Sequence, residues 1–312
     1  MSKPSLVFMG TADFGIPTLE KLISENFEIR SVVTVPDKPG GRGKQPKPSP
    51  IKQKAQEHSL PILQPEKLKE ASFRESLREL EVDLFVVVAF RILPPEVFRI
   101  AKMGCMNLHA SLLPYYRGAA PIQRAIMNGE EKTGVTSFII DEKMDTGHIL
   151  LQEEAKIGPN ETAGEVHDKL SDIGANLVLD SVKGYADGQI EPKPQPEGDY
   201  QKAPKITKED TVINWELPAD KIHNQIRGLS PIPGAWCWFG NKRLKILRTE
   251  IDKSVSIPPG KIRVFSDGPP AVGTADEKSL RLKEVKPEGK QKQSGQAFAR
   301  GYDLEDKELI SA

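Results

Sequence analysis

Residues 83–90 read Asp-Leu-Phe-Val-Val-Val-Ala-Phe, an almost unbroken apolar run without alternation. A strand with one wet face alternates apolar and polar side chains. A strand covered on both faces does not, and such strands lie in the middle of parallel sheets. Working outward, residues 5–10 (SLVFMG) repeat the pattern and residues 30–35 (RSVVTV) supply a further strand. Between these two, Phe14, Leu19, Leu22 and Ile23 carry helical spacing over 14–25, with Thr11 and Asp13 placed as caps. Helices are expected at 51–58, 73–80, 95–100 and 120–127, a short strand at 61–63 and a strand at 104–110. Alternating strands and helices predict a parallel, doubly wound α/β sheet. Residues 136–141 and 148–153 read as a following antiparallel pair. Val166, Leu170, Ile173, Leu177 and Val178 mark one amphipathic helix over 162–186.

The texture then changes. Residues 189–205 (QIEPKPQPEGDYQKAPK) are polar and rich in proline, the composition of a linker. Beyond it lie a helix candidate at 219–229 and short strand candidates at 235–239, 243–250, 260–265, 271–274 and 279–287, split by Gly and Pro turns. That spacing suggests a small β-barrel. The acidic stretch 303–308 reads as a terminal helix. The division expected is 1–188, a linker at 189–205, and 206–312.

A chain of 312 residues can bury ample core without covalent staples. Cys105 and Cys237 lie far apart and read as small core residues, which argues against a disulfide scaffold or a cysteine metal site. The polar Met-Ser-Lys-Pro start and the lack of an apolar stretch near the ~20 residues of a membrane span point to a cytoplasmic protein without membrane attachment. Net charge is zero but unevenly spread: from residue 201 onward 20 Lys and Arg face 15 Asp and Glu, against 24 and 29 before it. A basic C-terminal part hints at a polyanionic partner, although ordinary surface variation explains the same imbalance.

Chemistry concentrates in residues 107–118, Asn-Leu-His-Ala-Ser-Leu-Leu-Pro-Tyr-Tyr-Arg-Gly, with Asp145 following in Met-Asp-Thr-Gly. Asn107 and His109 stand two apart on the strand at 104–110, so both side chains leave one face. An amide N–H can hold an oxygen that gains charge, an imidazole can carry protons near neutral pH, and a carboxylate can orient it. That set suits acyl transfer, with the nucleophile supplied by a substrate. Taken alone, Asn-x-His fits a satisfied core histidine better than a catalytic pair, and Asp145 fits a turn before Gly147.

The run 105–124, including Ser-Leu-Leu-Pro-Tyr-Tyr-Arg-Gly-Ala-Ala-Pro-Ile-Gln-Arg, together with Asp145-Thr-Gly147, resembles the 10-formyltetrahydrofolate-dependent formyltransferases. So do Val-Phe-Met-Gly-Thr-Ala-Asp-Phe at 7–14, Pro-Asp-Lys-Pro-Gly-Gly-Arg-Gly-Lys at 36–44 and Ile-Asn-Trp at 213–215, so that the likeness covers nearly the whole chain. The resemblance implies a Rossmann-like parallel-sheet catalytic domain at 1–188 and an OB-like barrel that binds tRNA at 206–312. It implies that Asn107 and His109 contact the formyl oxygen and that Asp145 sustains the histidine. It also implies that Ser111, Leu112, Leu113 and Pro114 line the folate pocket, with backbone near 90–93 reading the pterin edge. The donor is 10-formyltetrahydrofolate, no metal is called for, and a monomer is expected. The chain departs from the family pattern at 89–94, Ala-Phe-Arg-Ile-Leu-Pro, one residue short and lacking a glycine.

The resemblance places the chain with the branch that formylates the α-amino group of methionyl-initiator tRNA. Residues 38–54 carry Lys38, Arg42, Lys44, Lys47, Lys52 and Lys54 without an acid, with glycines at 40, 41 and 43. A solvated charge run is the plain reading, but a basic, glycine-flanked loop also suits phosphate contacts, and by resemblance Arg42, Lys38 and Lys44 meet the acceptor end of the tRNA. No P-loop is completed there, and Gly10 and Gly15 lack the middle glycine of a dinucleotide fingerprint. Lys242, Arg243, Lys245 and Arg248 alternate along a barrel strand that fits either a solvated face or an RNA backbone. Trp215, Trp236 and Trp238 read as core. His58, His167 and His223 read as helix-surface residues, and His148 as the rival of His109 for Asp145. The alternatives are an amino-sugar nucleotide as acceptor and a non-catalytic RNA-binding relative.

Overall fold

The computed structural model describes residues 3–40, 44–304 and 307–311. The chain forms two compact units, Met1–Gly118 with Gly134–Ala155 and His167–Lys202, and Ala119–Thr133 with Lys156–Val166 and Ala203–Ala312.

In the first unit the apolar runs become β1 (Leu6–Gly10), β2 (Ile29–Val33), then a hairpin of β3 (Lys38–Gly40) and β4 (Lys44–Lys47), followed by β5 (Ile62–Leu63), β6 (Leu84–Val88) and β7 (Cys105–His109). After the short β8 (Arg117–Gly118) come β9 (Lys132–Ile139) and β10 (His148–Lys156). The main sheet runs β10-β9-β7-β6-β1-β2-β5. Pairing is parallel from β5 through β7, and β9 turns antiparallel against β7. Every residue of β1 and β6 is buried, which is why neither alternates. The chain steps from β1 to β2 on one side and returns to β6 on the other, so the strand order reverses between β1 and β6, the kind of switch point beside whose carboxyl ends α/β sheets bind ligands.

Helices α1 (Ile16–Ser24), α2 (Pro50–Glu57), α3 (Ala71–Glu79), α4 (Pro95–Phe98) and α6 (Ala163–Ala186) fill the connections, while α5 (Pro121–Met127) belongs to the second unit. Phe73, Leu77, Val97 and Phe98 pack with Val7, Val87 and Cys105 in one core. Two local expectations change. Helix α1 begins at Ile16 behind a 3-10 turn at Asp13–Gly15, and no side chain caps either, so Thr11 and Asp13 are not caps. The segment read as a plain loop forms the β3–β4 hairpin, in register Lys38 with Lys47 and Gly40 with Lys44.

In the second unit, β11 (Lys202–Ala203) leads to α7 (Ala219–Leu229), then β12 (Ala235–Phe239), β13 (Lys242–Asp252), β14 (Ile262–Arg263), β15 (Ala271–Gly273), β16 (Ser279–Pro287), β17 (Gln293–Ser294), α8 (Gly295–Gly301) and β18 (Leu309–Ile310). The order is β14-β15-β16-β13-β12-β18. A bridge between Lys261 and Glu308, with Leu309 N–H donating to Gly260 at 2.8 Å, brings the two edges together and closes an OB-like barrel. Leu244 and Ile246 of β13 point into a core with Trp215, Ile222, Ile226 and Phe298, while Lys242, Arg243 and Lys245 face outward.

Three sequence expectations are corrected here. The terminal helix is α8 rather than 303–308; Ser294 caps it by accepting from Ala297 N–H, and Phe298 anchors it. Residues 305–306 lie outside the described residues. Of the tryptophans only Trp215 is core; Trp236 and Trp238 are half-buried, edge to face at 5.3 Å, with the Arg243 guanidinium 4.3 Å from the first ring and 5.6 Å from the second. His223 is buried, not on the surface. Its Nδ1 meets Thr249 Oγ1 at 2.9 Å and its Nε2 meets the Pro159 carbonyl at 3.0 Å.

Burial holds the His223 imidazole below its ordinary pKa, against the opposing pull of the Pro159 carbonyl. The unfolded chain therefore takes up this proton at a higher pH than the folded one. The His223 contribution to stability is complete above the ordinary histidine pKa of about 6.5 and is lost as pH falls through the lowered folded value. Between pH 7.5 and 5.5 the melting temperature of the wild type is expected to drop more than that of His223→Gln. Parallel slopes in calorimetry would contradict this.

Candidate active site

Strand β7 carries the pair predicted from its spacing. Asn107 is half-buried, and its side-chain amide makes no hydrogen bond among the described residues. His109 is buried, with Nε2 2.9 Å from the Tyr116 carbonyl. A carbonyl only accepts, so Nε2 carries the proton and Nδ1 is the nitrogen left for exchange. Nδ1 lies 3.9 Å from Asp145 Oδ2, within ion-pair range but beyond a hydrogen bond. The structure thus brings Asn107, His109 and Asp145 together. His148 is exposed and does not compete.

Asp145 sits at φ 55°, a left-handed position that Asp tolerates better than most residues. Its Oδ2 accepts from Gly118 N–H at 2.9 Å. Gly147 makes the tight return possible, since a Cβ there would stand 1.9 Å from the Ile139 carbonyl oxygen. Tyr116 and Gly118 entered the sequence analysis only as parts of a motif; both act here through backbone groups.

The loop after β7 is held from inside. Ser111 is fully buried and its Oγ donates to the Tyr115 carbonyl at 2.6 Å. Thr136 Oγ1 donates to the Ser111 carbonyl and accepts from Leu113 N–H, while Gln152 Nε2 donates to the Leu113 carbonyl. Leu113 and Pro114 are buried, and Leu112 is half-buried. Ser111 and Leu113 therefore shape the loop from inside, while Leu112 is half-buried and Tyr115 exposed.

At the end of β6, Ala89 has φ 50° and its carbonyl accepts from Thr11 N–H at 3.2 Å. The peptide groups of residues 90–93 make no backbone hydrogen bond among the described residues; Phe90 and Arg91 are half-buried, Ile92 is exposed and Leu93 is buried. The shortened stretch is braced by Arg91, whose guanidinium donates to the Pro65 and Glu66 carbonyls at 2.8 and 3.0 Å.

Of the basic run, Lys52 is paired with Asp37 at 2.6 Å and Lys54 with Glu20 and Glu57 at 2.8 and 2.7 Å, so neither is free for phosphate. Lys38 lies on β3 and Lys44 on β4; Arg42 lies outside the described residues. On β13, Arg248 is engaged by Glu165 at 2.6 Å, and Lys245 donates to the Pro233 carbonyl at 2.6 Å.

Sequence reasoning missed Gln195. It lies in the proline-rich stretch taken as a linker, and only its half-burial and its four hydrogen bonds reveal it. Nothing in its flanking Pro194 and Pro196 signals such a role.

An unengaged amide and a histidine–aspartate pair near the sheet's switch point suit an acyl transferase. The formyl transferase family matches residues 4–182, and the formyl transferase C-terminal domain matches residues 205–303. The methionyl-tRNA formyltransferase of Moorella thermoacetica is 43% identical over 98% of both chains, and that of Pelobacter propionicus is 40% identical over 99% of this chain and 97% of the relative. The chain belongs to the methionyl-tRNA formyltransferase family. Among solved structures, an N-formyltransferase from Helicobacter canadensis, in complex with folinic acid and dTDP-3-aminofucose, superposes with a TM-score of 0.68 at 22% identity. That match covers 90% of this chain and 99% of the other, and it speaks for the fold.

Proposed function

We propose that this protein transfers the formyl group of 10-formyltetrahydrofolate to the α-amino group of methionyl-initiator tRNA. The product is formylmethionyl-tRNA for translation initiation, made in the cytoplasm by a monomer. The observation that carries the chemistry is the unengaged Asn107 amide two residues from His109, whose ring faces Asp145. The acceptor is supported by the relatives, which are methionyl-tRNA formyltransferases over nearly the whole chain. The amino-sugar reading has only distant likeness behind it.

The donor, when bound, supplies a formyl carbon on nitrogen. The backbone of residues 90–93 and the loop Ser111, Leu112, Leu113 and Pro114 would hold it. Asn107 donates to the formyl oxygen as that oxygen gains charge. His109, fixed through Nε2 by the Tyr116 carbonyl, takes the amine proton at Nδ1, and Asp145 stabilises the ring as the proton arrives. Returning the proton to the leaving nitrogen releases tetrahydrofolate. Holding the amine and formyl carbon together supplies much of the remaining rate.

On this reading Lys38, Arg42 and Lys44 of the β3–β4 segment touch acceptor-end phosphates, and the barrel at 206–312 holds the body of the tRNA. Lys38→Ala, Arg42→Ala and Lys44→Ala are then expected to raise KM for charged tRNA while leaving KM for the folate within about twofold. Each lost phosphate contact reduces the logarithmic salt slope of kcat/KM by about one. Equal damage toward both substrates would reject this assignment.

A further inference from the structure

The stretch 193–201 does not hang free. Lys193 and Ile149 form an antiparallel bridge, with N–H to carbonyl distances of 2.8 and 2.7 Å in the two directions. The Gln201 carbonyl accepts from Tyr116 N–H at 2.6 Å. Between these anchors Gln195 is half-buried while Pro194 and Pro196 are exposed. Its Oε1 accepts from Arg117 Nε at 3.0 Å and from Arg117 Nη2 at 2.5 Å. Its Nε2 donates to the carbonyls of Asp145 and Gly147 at 2.9 and 2.8 Å.

One amide thus joins two loops at the very places where they meet the reacting groups. The loop holding Arg117 also presents Gly118 N–H to Asp145 Oδ2, and Tyr116 supplies the carbonyl that fixes His109. Proline on both sides restricts the backbone that presents the amide. A primary amide is the one neutral side-chain group that can donate twice and accept twice at once, and all four capacities are used.

We infer that Gln195 is a positioning residue for formyl transfer, acting through Asp145, and that the proline-rich stretch is a strap built into the catalytic unit. The inference rests on the role proposed for Asp145. Gln195 makes no hydrogen bond to His109 or Asn107 among the described residues, so it acts on the rate by placing the two loops, chiefly the one whose Asp145 and Gly147 carbonyls it holds directly.

The test is a double-mutant cycle in single-turnover formylation with enzyme in excess, using wild type, Gln195→Leu, Asp145→Asn and the double variant. A misplacement of about 1 Å can cost on the order of a hundredfold. Gln195→Leu is expected to slow transfer about tenfold to a hundredfold, with the dissociation constants for charged tRNA and folate within about twofold. In the Asp145→Asn background the same substitution is expected to change the rate less than about twofold, because coupled residues are not additive. Gln195→Glu keeps the contact to Arg117 but loses both donors, and it is expected to slow transfer similarly, which covers the case in which the leucine variant does not fold. Equal loss in both backgrounds, or a wild-type rate for both Gln195 variants, would overturn the inference while leaving Asp145 in place. A wild-type rate for Asp145→Asn would overturn the proposed role of Asp145, and this inference with it.

Discussion

Asn107→Ala is expected to lower kcat about a hundredfold to a thousandfold, equivalent to about 3–4 kcal/mol of lost transition-state stabilisation. Binding of charged tRNA should change little, and so should the melting temperature. The second part of that expectation comes from the structure. Most half-buried asparagines hold something together, and truncating them leaves a partner unpaired. The Asn107 amide makes no hydrogen bond among the described residues, so its removal orphans nothing in the resting protein. A side chain that contributes little to the resting fold yet faces His109 across one residue of strand β7 is built for something that arrives later. Asn107→Asp should be no better than alanine, since it offers an acceptor where a donor is needed. Steady-state formylation beside calorimetry separates the two effects; a variant that loses stability in proportion to its activity would identify Asn107 as structural.

Gly147→Ala is expected to be nearly as damaging by a different route. The added methyl would lie 1.9 Å from the Ile139 carbonyl oxygen and 3.1 Å from Asp141 N, both backbone atoms. The Asp145 loop would have to move away from β9. In doing so it would strain the Gln195 contact to the Gly147 carbonyl and carry the Asp145 carboxylate off Gly118 N–H. Overpacking of this sort costs about 1–3 kcal/mol of stability. That corresponds to roughly 2–12 °C in melting temperature for a unit of this size. Displacement of Asp145 should cost about a hundredfold in kcat. Activity retained at the wild-type level would show that the loop tolerates far more room than its packing indicates.

What could be read from the chain, and what could not, follows from where each signal is stored. Strand β6 was legible because burial on both faces leaves an unbroken apolar run. Asn107 and His109 were legible as a pair because β-strands have a period of two. Helix α7 and strands β12 and β16 stand where the periodicity put them, and their ends coincide with Gly, Pro or polar residues. Asp145 is different: its chemistry suits a partner for His109, but its approach depends on β9 folding back against β7, which no local pattern encodes. Gln195 was invisible because a polar residue among prolines has the composition of a linker, whatever its amide touches. His223 was misplaced for a related reason. Its helix is amphipathic, but its partners come from Pro159 and Thr249, far off in sequence. Trp236 and Trp238 were placed in the core by size, whereas β12 turns them to a face where the Arg243 guanidinium stacks on them. Helix α8 was missed because its signal is one capping serine and one buried phenylalanine, while the neighbouring acidic run draws the eye.

The fate of the formyl group itself decides between the acceptors and tests Asn107 at once. Purified protein is incubated with formyl-labelled 10-formyltetrahydrofolate and offered, in parallel, methionyl-initiator tRNA and an amino-sugar nucleotide. Formyl transfer to methionyl-tRNA through Asn107 requires label on the methionine amine of the tRNA, none on the sugar, and loss of the tRNA product in Asn107→Ala. Label on the sugar, or full labelling of the tRNA by the Asn107→Ala protein, would contradict it.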